Sequence, residues 1–140
     1  MKRSCLALPF STFPVRSFVF AGVMLVAASL RADVYWVLPA GQSGDWSAAL
    51  NWSGAPPTSS DIAFISNGGQ AVVTQSGETC NDLVLGYNPA ESGTMQMISG
   101  GLSATQQFVG YSGTGTITQS GGANSGGDLT VGFNVGSSGT

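Results

Sequence analysis

Beyond position 33 the apolar residues fall in short runs separated by glycine, serine, threonine and asparagine, with none of the i, i+3, i+4 spacing of an amphipathic helix. The runs repeat. Residues 73–86 read VTQSGETCNDLVLG and residues 117–132 read ITQSGGANSGGDLTVG, while residues 97–110 (MISGGLSATQQFVG) carry a weaker copy. Aligning on the last glycine gives Gly86, Gly110 and Gly132, spaced by 24 and 22; aligning on the serine gives Ser76, Ser99 and Ser120, spaced by 23 and 21. The residue before the glycine is always apolar (Leu85, Val109, Val131), and the residue after it is always aromatic (Tyr87, Tyr111, Phe133). Coils stacked on one another produce this signature, because equivalent positions lie in one column and like side chains form ladders. The pattern predicts an all-β fold, a right-handed parallel β-helix or β-solenoid with coils of about 22 residues. Two other architectures compete: a Gly/Ser linker does not hold Leu, Val and aromatics in fixed phase, and a β-sandwich would show two-residue hairpin turns that are missing.

Residues 33–70 differ from the repeats. Trp36, Trp46 and Trp52 all lie here, Val34–Leu38 and Asp61–Ile65 read as strands, and Pro56-Pro57 with the following Thr58-Ser59-Ser60 reads as an irregular turn. A solenoid has to cover the open end of its first coil, and large aromatics suit that task. The expected organisation is therefore a leader over 1–32, a Trp-rich N-terminal cap over 33–70 and solenoid repeats over 71–140, with the third copy incomplete at Thr140. An incomplete last coil implies that the chain continues or that it self-associates through the open solenoid end.

The leader rests on charge and hydropathy. Lys2, Arg3 and Arg16 precede a 13-residue apolar run, Phe18–Leu30, which is shorter than the roughly 20 residues a membrane-spanning helix needs. This is the layout of a secretory signal peptide cut after Ala32, or alternatively after Ala28, and it places the protein outside the inner membrane, secreted or at the cell surface. All 4 Lys and Arg lie in the first 31 positions, all 7 Asp and Glu lie beyond them, and there is no His. A processed chain of this kind neutralises no phosphates, which excludes a nucleic-acid role, and it has neither a basic membrane-binding face nor the usual general base. No transmembrane helix is expected after the leader. The one cysteine left, Cys80, precedes an apolar run and is expected to be buried.

The order Trp36, Gly44-Asp45-Trp46-Ser47, Asn51-Trp52-Ser53, Pro56-Pro57 and Asp61-x-Ala63-x-Ile65, followed by the glycine-aromatic repeats, resembles the opening of large exported bacterial repeat proteins. These carry autotransporter-associated β-strand repeats, or a related architecture that ends in a PEP-CTERM sorting segment. The resemblance spans most of residues 33–140 and implies a long, adhesin-like, cell-surface or secreted protein without an assigned activity.

Candidate chemistry is sparse. Asp33, Asp45, Asp61, Glu78, Asp82, Glu91 and Asp128 are the only ionisable carboxylates, and no Lys or His stands beside them to complete an acid–base pair or to activate a serine. Asp82 and Asp128 hold the same place in the repeat, so a structural role explains both. GGANSGGD departs from the calcium-binding nonapeptide pattern at Asn124 and Ser125. No metal or other cofactor is expected. The reading is an exported, non-catalytic module for surface display. Its alternative is a carbohydrate-binding module in which Tyr35, Trp36, Trp46 and Trp52 form a stacking platform for surface polysaccharide.

Overall fold

The computed structural model describes residues 30–140, so the leader expected over 1–32 lies outside the described residues except for its last three. Ten strands form two five-stranded sheets. One sheet stacks β1 (Asp33–Tyr35), β3 (Ile62–Ile65), β5 (Glu78–Leu85), β7 (Gly101–Val109) and β9 (Ala123–Val131) in that order. The other stacks β2 (Ser43–Asp45), β4 (Gln70–Val73), β6 (Ser92–Met97), β8 (Thr114–Gln119) and β10 (Ser138–Gly139). The chain changes sheet after every strand, and every neighbouring pair within a sheet is parallel. This is the expected β-solenoid, with about 4 turns. The only helical element among the described residues is a single 3-10 turn, Ala49–Asn51.

The register follows the glycine landmark. Leu85 pairs with Val109 and Val109 with Val131, which makes steps of 24 and 22. The serine landmark is out of register, because counting on from the Val73, Met97 and Gln119 column sets Ser76 beside Gly100 and Ser99 beside Gly121. Coils average about 24 residues rather than 22. The first is longer still, since Asp33 pairs with Ile62, and the extra length is the loop that carries Trp46, the 3-10 turn and Trp52. The strand expected over Val34–Leu38 is cut short at Tyr35. Trp36 instead makes an isolated antiparallel bridge with Trp52, and the Val37 N–H donates to the Asn51 carbonyl at 3.0 Å.

Alternation places one face of each strand inside. Ala71 and Val73 of β4 and Met95 and Met97 of β6 are buried against Cys80, Leu83 and Leu85 of β5 and Leu102, Ala104 and Val109 of β7. The inward set changes parity between Cys80 and Leu83, and again between Ala104 and Val109, so β5 and β7 bend at matching points. Gln107 falls at an inward position and is 5% exposed; it survives there by exchanging two hydrogen bonds with the Asn124 side chain, at 3.0 and 2.9 Å. Burial fades in the last coil. Leu129 and Val131 continue the inward columns of Leu83 and Leu85 but are 59% and 55% exposed.

Glycine closes the corners. The landmark residues Gly86, Gly110 and Gly132 have φ of 65°, 79° and 71°, a left-handed region that other residues enter at a cost. Gly93 is required for a different reason, since a Cβ there would lie 1.7 Å from the Ile65 carbonyl oxygen of the coil wall opposite. Gly93→Ala should therefore destabilise the fold by about 1–3 kcal/mol in urea unfolding. Gly54→Ala, where nothing lies within 4 Å of the added carbon, should stay close to wild type.

Candidate functional site

The three tryptophans come together at the first coil and turn inward. Trp36, Trp46 and Trp52 are 3%, 0% and 4% exposed. Trp52 meets both of the others edge-on, with centroids 4.9 Å apart in each case, and its indole N–H donates to the Trp46 carbonyl at 2.7 Å. The indole nitrogens of Trp36 and Trp46 are buried without a partner, which costs stability that the packing of three large rings has to offset. Of the four residues in the carbohydrate platform expected from sequence, only Tyr35 presents its ring, at 48% exposure. The platform as drawn from the sequence is thus not one exposed face: the loop over 46–61 folds its two indoles into the core beside Trp36.

Other aromatics lie in two columns along one corner, where Tyr35, Tyr87 and Phe133 are exposed and Phe64 is largely buried. The first column follows the register of sheet one: Tyr35, Phe64, Val84, Phe108 and Thr130. The second is the ladder one place past the corner glycine: Tyr87, Tyr111 and Phe133, with ring centroids 5.4 and 4.9 Å apart. The columns interlock. Tyr35 stacks on Phe64 at 5.0 Å, Phe64 meets Tyr87 edge-on at 5.1 Å, and Phe108 meets both Tyr111 and Phe133 edge-on. Sequence reading located the second column from its spacing. It did not find the first, whose members sit inside strands of different length and carry no common motif.

The second column of rings ends at Asn67, and the first is interrupted at Val84. In the second, counting two residues on from the Ile65–Leu85 pair puts Asn67 level with Tyr87. Asn67 donates its amide to the Trp36 and Leu38 carbonyls at 3.0 and 2.8 Å and supplies no ring. A depression of about 180 Å³ opens there, walled by Tyr35, Trp36, Phe64, Ser66, Asn67, Tyr87, Asn88 and Glu91, so two of the four expected platform residues, Tyr35 and Trp36, line it. In the first column the vacancy is Val84, between Phe64 and Phe108, and a second depression of about 350 Å³ lies over it, edged by Asp33 and Asp82.

The polar groups at this corner are fixed in place. Glu91 accepts from both the backbone N–H and the side-chain amide of Asn88, each at 3.0 Å, and Ser66 Oγ accepts the Tyr87 N–H at 2.9 Å. Asp82 accepts from Arg31 at 3.0 Å, the one salt bridge among the described residues. Away from the corner, Asp61 is buried and accepts from the Thr58 hydroxyl at 2.6 Å, the Thr58 N–H at 2.9 Å and the Ala32 N–H at 3.1 Å. The Thr58 hydroxyl bond, opposed by burial and assisted by the two backbone donors, holds its carboxyl below the ordinary value of 3.8. For Asp45 burial acts upward, but bonds from Ser47 and Thr74 outweigh it and leave the carboxyl low. Burial and the charge of Asp45 push Glu78 up. Cys80 is buried as expected, and its thiol is pushed up to about 12 by desolvation and by Asp82, far from a nucleophilic thiolate at neutral pH. Among the described residues no group of three or more His, Cys, Asp or Glu is placed to hold a metal ion, and no helix is long and apolar enough to cross a membrane.

No family model, no curated protein and no solved structure matches the chain.

Two measurements check this geometry. Native tryptophan fluorescence should be quenched weakly by acrylamide and strongly after unfolding in urea, since no indole is on the surface. The folded state binds its Asp61 proton less readily than the unfolded state does, so the stability Asp61 contributes is complete above the ordinary value and is lost as pH falls through the lower folded one. Asp61→Asn should lower unfolding stability at pH 7 by about 1–3 kcal/mol and should lessen the further loss on acidification below pH 4.

Proposed function

We propose that the chain is an exported, non-catalytic structural module that extends and displays material at the cell surface or outside it. The observation that carries this reading is the unbroken parallel stacking of coils, which runs through both sheets from β1 and β2 to β9 and β10 and makes a repeating spacer. Three buried tryptophans close the packing of the first described coil, and a stacked spacer of this kind suits a tip or stalk. The chemistry points the same way, because Asp61, Asp45, Glu91 and Asp82 are tied up by threonine, serine, asparagine and arginine, and the sequence holds no His to activate a hydroxyl nucleophile. Export is supported by the charge and hydropathy of residues 1–32, and the likeness to autotransporter-associated or PEP-CTERM repeat proteins supports a surface role.

Within this reading the contacts of residues 31 and 32 favour one processing site. The Ala32 carbonyl accepts the Ile62 N–H at 2.9 Å, the Ala32 N–H serves Asp61, and Arg31 pairs with Asp82. A cut after Ala28 keeps all three contacts, and a cut after Ala32 removes them. In a bacterial host the protein should appear in the exported fraction with Ser29 as its first residue, as read by N-terminal sequencing. Retention in the cytoplasm with the leader uncut would refute export, and a mature chain starting at Asp33 would refute the processing site alone.

A further inference from the structure

The two depressions along the aromatic corner carry an inference separate from display. Where the second column runs Phe133, Tyr111, Tyr87, the next place holds Asn67, whose amide is committed to the Trp36 and Leu38 carbonyls. The run of rings ends there, since the same count places Leu38 beyond Asn67, so Tyr87, 43% exposed, has no stacked ring on that side and meets Phe64 at a steep angle. The depression of about 180 Å³ that results is smaller than the roughly 300–1,000 Å³ of a pocket that engulfs a drug-sized ligand, and it suits one ring set against Tyr87.

We infer that this gap binds a pyranose ring of a neutral glycan, with the chain passing on over the second depression at Val84. A sugar ring has an apolar C–H face and a polar circumference, and the corner offers the complement of both. Its walls are Tyr35, Phe64 and Tyr87. Its rim carries the Glu91 carboxylate, which accepts two bonds from Asn88 and keeps lone pairs for ligand hydroxyls, and the Ser66 hydroxyl, whose proton stays free while its oxygen accepts the Tyr87 N–H. These rim groups are positioned before any ligand arrives, which lowers the ordering cost of binding. Charge narrows the class. Glu91 flanks the first depression and Asp33 and Asp82 the second, and the one described cation, Arg31, is already paired with Asp82. Acidic glycans would be repelled. The two depressions share Phe64 and Tyr87 as a common wall, so adjacent sugar units fall on one continuous strip.

The test uses the purified chain on an array of neutral β-linked gluco-, manno- and N-acetylglucosamine oligosaccharides with uronic-acid and sulfated glycans alongside, followed by titration of the best neutral binder. Wild type should bind a neutral glycan and none of the acidic ones. Tyr87→Ala should weaken binding by about tenfold or more, and Phe133→Ala, on the same column but outside both depressions, should leave it unchanged. In the wild-type protein, NMR shift changes on titration should centre on Tyr35, Phe64, Tyr87 and Asn88 and spare Phe133, a readout that decides the matter even where Tyr87→Ala fails to fold. Absence of any neutral glycan binding, preference for an acidic glycan, equal binding by Tyr87→Ala, or shifts centred away from these residues would overturn the proposal. Because the readout is binding by purified protein, its failure leaves the display role standing, and failure of export leaves the groove standing.

Discussion

Parallel pairing of each coil on the one before it is the constraint from which the rest of this structure follows. Backbone groups are satisfied only by the neighbouring coil, so register has to be held for the length of the rod, and like residues are forced into columns. The Leu85, Val109, Val131 column and the Tyr87, Tyr111, Phe133 column are two products of the same register, one turned inward and one turned out. Corner glycines with left-handed φ let the chain change sheets without a bulky side chain striking the next coil, as at Gly110, where a Cβ would come within 2.2 Å of the Ser138 carbonyl.

Stacking also explains the two ends. A coil in the middle of the rod is covered above and below, and its inward leucines, valines and methionines are buried without help. Among the described residues the first coil pairs on one side only, and the enlarged loop between β2 and β3 covers its interior by tucking in Trp46 and Trp52 beside Trp36. Two unpartnered indole nitrogens are the cost of that closure, tolerated because three large rings bury so much apolar surface. Interior polarity is handled differently at Gln107, where a second amide one coil away satisfies both ends of the side chain.

Interruptions in the columns matter as much as their continuity. Where an aromatic column meets Asn67 or Val84, the outer surface dips, and the dips gather fixed carboxylate, amide and hydroxyl groups beside exposed ring surface. A perfectly regular ladder would offer a smooth ridge and nothing to grip. The chemistry available at this corner is therefore recognition by shape, stacking and hydrogen bonding. The low-set carboxylates Asp45 and Asp61 fasten local turns through Ser47 and Thr58, and the high-set thiol of Cys80 lies in the core.

The sequence by itself determined the architecture, because stacking turns a three-dimensional column into a one-dimensional spacing. Gly86, Gly110 and Gly132 announced both the coil and its register, and the aromatic after each announced the ladder. The serine spacing misled because corner residues, unlike strand residues, slip by one place without breaking the pairing. Only the tertiary structure decided which aromatics face water. Trp36, Trp46 and Trp52 and Tyr35 are alike as letters in an aromatic-rich segment, yet closure of the first coil buries three and leaves the fourth outside. Likewise, Tyr35, Phe64 and Phe108 become one surface only when coils of 29, 20 and 24 residues are laid in register, a relation between unequal loops that no fixed spacing records.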